Sequence, residues 1–151
     1  MRFINALLFL LFINATNLFS QSLPKKPTLD DVRAYNQTNL MKVELGFNKE
    51  QVIKAMGGMQ NIQSYYPKDP YTWAKPKYLV IANPYSRDLK TGKDSATIEI
   101  LWYYTDLKNA DGAINKEELT PIILEKNAVV GVGWGFYTDY AKKQEITVDV
   151  R

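Results

Sequence analysis

Residues 45–58 read Leu45-Gly46-Phe47-Asn48-Lys49-Glu50-Gln51-Val52-Ile53-Lys54-Ala55-Met56-Gly57-Gly58, and no other stretch carries so complete a set of local instructions. Asn48 has the short, oxygen-bearing side chain that accepts from the first unpaired amides of a helix. Gln51, three residues on, can reach back to the amide of Asn48. Phe47 and Val52 stand at the two positions of a hydrophobic staple. Val52, Ile53 and Met56 recur on one face, and Gly57 supplies the left-handed residue that stops the helix. The spacing predicts a short helix over 49–56 that buries one side.

Upstream, Thr28-Leu29-Asp30-Asp31 sets an acid three residues after a capping threonine and two acids in the first turn, where they favour the helix dipole. A first helix is expected over 29–41, with Leu29, Val32, Tyr35 and Leu40 toward the core and a polar run at 36–39 weakening its second half. Residues 21–27, with Pro24, Lys25, Lys26 and Pro27, read as an extended linker. Residues 1–20 differ again: Arg2, a mostly apolar run over 3–13, then a polar exit to Ser20. That is the order of a secretory signal peptide, with cleavage after Ser20 or, alternatively, near Ala15. An uncleaved membrane anchor is the competing reading, but 3–19 is interrupted by Asn5, Asn14 and Asn17 and falls short of the roughly 20 residues that span a bilayer. The expected organisation is a signal peptide 1–20, a linker 21–27 and one domain 28–151, exported to the periplasm or beyond and soluble after cleavage.

Downstream, 59–77 sets Tyr65, Tyr66, Tyr71 and Trp73 among Pro67, Pro70 and Pro76 and reads as an ordered loop. Residues 78–82 (YLVIA) and 96–105 (ATIEILWYYT) read as strands joined across the polar stretch 87–95 in a long hairpin. Residues 121–124 (PIIL), a turn at 125–127 and 128–137 (AVVGVGWGFY) give a second hairpin. In the last of these, Gly131, Gly133 and Gly135 alternate with large residues, leaving one bare face on which a helix of the same domain or a partner can pack closely. Residues 140–143 suggest a helical turn and 146–150 an edge strand. The expected fold is α+β: two N-terminal helices packed on an antiparallel meander in two layers.

Composition narrows the chemistry. The chain has 19 Lys and Arg against 16 Asp and Glu, a formal charge of +3 that includes Arg2, and this small scattered excess argues for no nucleic-acid partner. Cysteine and histidine are both absent, which removes disulfides, thiol nucleophiles, thiolate metal sites, the usual neutral-pH proton shuttle and a lipid-bearing cysteine. No cofactor is expected.

The segment 39–57, NLMKVELGFNKEQVIKAMG, resembles the opening of the outer-membrane assembly lipoprotein BamE and its relatives. In that family a helix ends in a Leu/Val-Gly-Met-Thr turn and a short helix follows that closes on Leu-Gly or Met-Gly. Leu45-Gly46-Phe47-Asn48 stands where that turn would be, and Met56-Gly57 where the second helix ends. The resemblance implies an α-α-β-β-β fold, which is also similar to the repeat unit of the secreted β-lactamase inhibitory proteins, and a place in the cell envelope. The family's lipidated cysteine is missing, so the resemblance implies a non-lipidated branch without a lipid anchor.

Three constellations invite chemistry. In the loop 109–119, Gly112 aligned with the invariant glycine of a calcium loop puts Asn109, Asp111 and Glu118 at ligand positions, but the first position falls on Leu107. An Asp-Gly turn with an acidic rim is the simpler reading. Ser22-Leu23-Pro24-Lys25 spells Ser-x-x-Lys in the linker, without the rigid setting a nucleophile needs. Asp30-Asp31, Glu117-Glu118 and Glu99 offer carboxylates with no sign of an opposed pair. Among the many aromatics, Tyr71 and Trp73 on the proline-bounded loop, and Trp134, are the candidates for partner contact. The function expected is a non-catalytic envelope binding or scaffolding protein working by protein–protein contact. A secreted inhibitor-like or small-ligand-binding module is the alternative, and a carboxylate-dependent envelope hydrolase comes third.

Overall fold

The computed structural model describes residues 23, 27–58, 60–66, 77–109 and 113–148, so the signal segment and most of the linker lie outside the described residues. Helix α1, Leu29–Leu40, opens on a reciprocal cap: Thr28 Oγ1 accepts from the amide of Asp31 at 3.1 Å, and Asp31 Oδ2 accepts from the amide of Thr28 at 2.8 Å. Its buried face is Leu29, Val32, Asn36 and Asn39, with Tyr35 and Leu40 only half-buried. The polar run at 36–39 therefore docks the helix. Asn36 Nδ2 donates to the carbonyl of Tyr104 at 2.8 Å and Gln37 Nε2 to that of Thr105 at 2.7 Å, answering carbonyls where a strand ends.

Helix α2, Lys49–Ala55, begins with Asn48 Oδ1 accepting from the amide of Gln51 at 2.9 Å and Gln51 Oε1 accepting from that of Asn48 at 2.8 Å. It stops at Gly57, whose φ of +92° suits glycine and whose missing side chain makes room for Tyr35; a Cβ there would lie 1.8 Å from the Tyr35 hydroxyl.

Six strands follow among the described residues: β1 Gln60–Tyr66, β2 Lys77–Asn83, β3 Ser86–Thr91, β4 Thr97–Tyr104, β5 Leu119–Glu125 and β6 Ala128–Val132. Helix α3, Trp134–Lys143, comes last. β1 and β2 form an antiparallel pair with Ile62 opposite Ile81, and β3-β4-β5-β6 form a second sheet, antiparallel and in chain order. The chain is of mixed α+β class. The long first hairpin is redrawn: β2 pairs with β1, from the segment expected to be loop, and the partner of β4 is β3, from the stretch expected to be a polar connection. No apolar run announces β3, because Leu89 is its one apolar side chain: Ser86, Asp88 and Lys90 lie on one face and Arg87, Leu89 and Thr91 on the other. The second hairpin turns at Lys126-Asn127 between β5 and β6. Its return strand stops at Val132, five residues short of the expectation, because Gly133 at φ +88° turns the chain into α3. The bare face at Gly131 is filled from within the domain, where a Cβ would lie 2.1 Å from the Phe136 ring. Residues 146–148 form no strand.

β4 divides the core in two. Ile98, Ile100, Trp102 and Tyr104 point to one face, where they meet Leu29 and Val32 of α1, Tyr137 and Ala141 of α3, and the Ile62-Ile81 pair. Leu101 and Tyr103 point to the other, with Ile122, Leu124 and Val129, and are covered by Val52 of α2 and by Met56, which caps its C-terminus. α2 and α3 thus lie on opposite faces of the sheet, and the two-layer expectation gives way to helices on both sides. The turn between α1 and α2 runs along the outer side of β6, where Gly46 N–H donates to Val129 O and Val129 N–H donates to Phe47 O, both at 2.8 Å.

Candidate binding cleft

Where α2, the β1-β2 pair and the start of β3 converge, they leave an open cleft of about 420 Å³. Ile53, Ala82, Pro84 and Leu101 give it an apolar lining, with Asn61, Asn83, Ser86, Lys49 and Arg87 as the polar part. Each comes from a local cause. The Asn48 cap places Lys49 in the first turn of α2, and the alternation of β3 turns Arg87 to the same face of the sheet as Leu101 and Glu99, which lie on β4 opposite Arg87 and Leu89. Lys49 Nζ lies 2.7 Å from Glu99 Oε1, and Arg87 Nε contacts the same oxygen. Two cations therefore share one largely buried carboxylate, leaving one positive charge at the rim. Asn83 is buried; its Nδ2 donates to Met56 O at 3.2 Å, while its Oδ1 has no partner among the described residues. The cleft can hold an apolar group that carries an acid.

Of the aromatics singled out above, Tyr71 and Trp73 lie outside the described residues. Trp134 is half-buried at the start of α3. Its Nε1 donates to Leu119 O at 2.7 Å, and its ring centre lies 5.2 Å from Trp102 and 5.8 Å from Tyr137. Trp102, fully buried, donates its own Nε1 to Asp88 at 2.8 Å and carries Lys116 Nζ 3.7 Å above its ring.

The acidic loop is organised by Glu118. Its carboxylate, wholly buried, accepts from the amides of Lys108 at 2.8 Å, Asn109 at 3.1 Å and Asn115 at 2.9 Å. Asn109 is thus brought to Glu118 through its backbone, with its side chain exposed, and Asp111 lies outside the described residues. Amides aimed at a carboxylate occupy the lone pairs a cation would need. Among the described residues no group of three or more acidic, His or Cys side chains is placed to hold a metal. Of the other acids singled out above, Asp30 pairs with Arg33 at 3.0 Å, Asp31 serves the α1 cap, and Glu117 is exposed. Asp106 pairs with Lys108 at 2.7 Å, a bond that, with the Leu107 amide, holds its carboxyl below the usual carboxylate range.

Sequence reasoning missed the cleft. In the sequence Lys49 marks only a helix start, Glu99 is a carboxylate without an opposed acid and Arg87 falls in the polar stretch 87–95, because what joins them is the pairing of β3 with β4. Comparison of the chain with protein-family models, with curated proteins and with solved structures returns no match.

Proposed function

We propose that this chain is a non-catalytic, exported binding protein of the cell envelope that works by protein–protein contact, with the cleft beside α2 as its contact site. The observation that carries the reading is the pairing of an apolar lining with a rim on which Lys49 and Arg87 outnumber Glu99. A partner segment presenting a carboxylate next to an apolar side chain would satisfy both parts, and charge complementarity of this kind selects partners more than it adds raw affinity. Export rests on the signal-like residues 1–20. Among the described residues no helix is long and apolar enough to cross a membrane. The lineage reading, a non-lipidated relative of BamE, is supported by the two consecutive capped helices whose junction falls at Leu45-Gly46-Phe47-Asn48. The cleft volume also suits a small ligand, which favours the small-ligand module as second reading.

The test is a photo-crosslinking residue at Ile53 in the cleft and, separately, at Lys142 on α3, in the chain expressed in its native envelope. One discrete protein adduct from position 53, lost on Arg87→Glu and not formed from 142, is the expected result. Adducts indifferent to position and to Arg87→Glu would sink the proposal. Saturable binding of a small apolar carboxylate by the purified chain, with no protein adduct, would move the assignment to the second reading.

A further inference from the structure

We propose that β3 pairs with the β3 of a second copy of this chain, antiparallel about a two-fold axis through Leu89, so that two four-stranded sheets become one. Three observations lead there. β3 ends the sheet order, and among the described residues no strand lies on its outer side. The other terminal strand, β6, has the Gly46-Phe47 backbone along its edge. Leu89, in the middle of a short charged strand, is 59% exposed, one of the more exposed large apolar side chains of the described residues. A bare sheet edge carrying an apolar side chain is a template for strand addition.

The strand is also complementary to itself in one register. Antiparallel pairing about Leu89 sets Leu89 against Leu89 and Arg87 against Thr91 on one face. On the other it sets Asp88, whose Oδ2 already accepts from Trp102 Nε1 and Lys116 Nζ, against Lys90 twice, so that opposite charges face each other across the axis without like charges meeting. A shift of the axis by one residue brings Asp88 against Asp88 or Lys90 against Lys90, a like-charge pair at the centre. Two-fold pairing of this kind is isologous, each copy offering the same patch. Six paired residues bury less than a standard interface, so the dimer is weak and concentration-dependent. This inference does not rest on the cleft reading: Arg87 of β3 belongs to both surfaces, but Leu89, on which the pairing is centred, is not among the residues that line the cleft.

The chain has no cysteine, so single thiols report the register directly. Leu89→Cys places two thiols opposite each other across the axis, within disulfide reach, whereas Thr91→Cys and Val80→Cys place theirs beyond it. Under mild oxidation Leu89→Cys should form disulfide dimers at least about tenfold faster than either control. In sedimentation equilibrium the unmodified chain should rise from monomer toward dimer mass between roughly micromolar and millimolar concentration. Leu89→Lys should stay monomeric with an unchanged melting temperature. A monomer throughout that range, Leu89→Cys oxidising no faster than Val80→Cys, or a dimer that survives Leu89→Lys would each overturn the proposal.

Discussion

Tyr103 and Glu118 are both wholly buried polar side chains, and they meet opposite fates. The Glu118 carboxylate is answered by three backbone amides, whereas the Tyr103 hydroxyl has no partner among the described residues, and burial alone pushes its phenol well above the usual tyrosine range. An unanswered hydroxyl carries its desolvation cost into the folded state. Tyr103→Phe is therefore expected to leave stability unchanged or raise it by up to about 2 kcal/mol in urea unfolding. A loss of more than about 1 kcal/mol would mean that the hydroxyl has a partner after all. At this scale the caps were legible, since Thr28 with Asp31 and Asn48 with Gln51 act within three residues of each other. Glu118 was not, because the amides of Lys108 and Asn109 reach it only through the path of a whole loop.

Among the elements, α1 depends on its first turn. The amide of Thr28, and then its hydroxyl, hold the Asp31 carboxyl below its ordinary value of 3.8. The folded chain thus favours the ionised form more than the unfolded chain does. The contribution is complete above about pH 4 and is lost as pH falls through the lowered value. Asp31→Asn should be less stable than the unmodified chain at neutral pH, with the two curves converging as pH falls through the lowered value when unfolding is followed by circular dichroism. A gap that persists unchanged into acid would assign the loss to shape in place of charge. The helices marked by caps and the strands marked by apolar runs, β4 and β5, were readable for the same reason: their signals are local or periodic. β3 and α3 were not. β3 is an edge with a single apolar side chain, Leu89, among polar ones, and its identity comes from β4 beside it. The glycines at 131, 133 and 135 imitate a strand's period of two, but Gly133 bends the backbone and Trp134, Tyr137 and Ala141 then follow a helical spacing toward the core.

Over the whole molecule, β4 supplies alternate residues to both apolar clusters, with α2 closing one side of the sheet and α1 and α3 the other. Neither cluster can open without exposing the strand that the other needs. Unfolding should then be a single transition, with tryptophan fluorescence, to which Trp102 and Trp134 contribute, coincident with far-ultraviolet dichroism. Midpoints that separate would show that α3 can leave while α2 stays. The cleft sits where this plan is least symmetrical, at the corner that β1, β2 and the head of α2 share, which is why no short stretch of sequence announces it.

The backbone of Gly46 and Phe47 along β6 has a further consequence. With Val129 on that border already bonded in each copy, the sheet that we propose joins through β3 is left, among the described residues, with a partly covered border at its far end. Two-fold pairing through β3 would then use up the open edge of each copy, so that growth through this sheet stops at two chains.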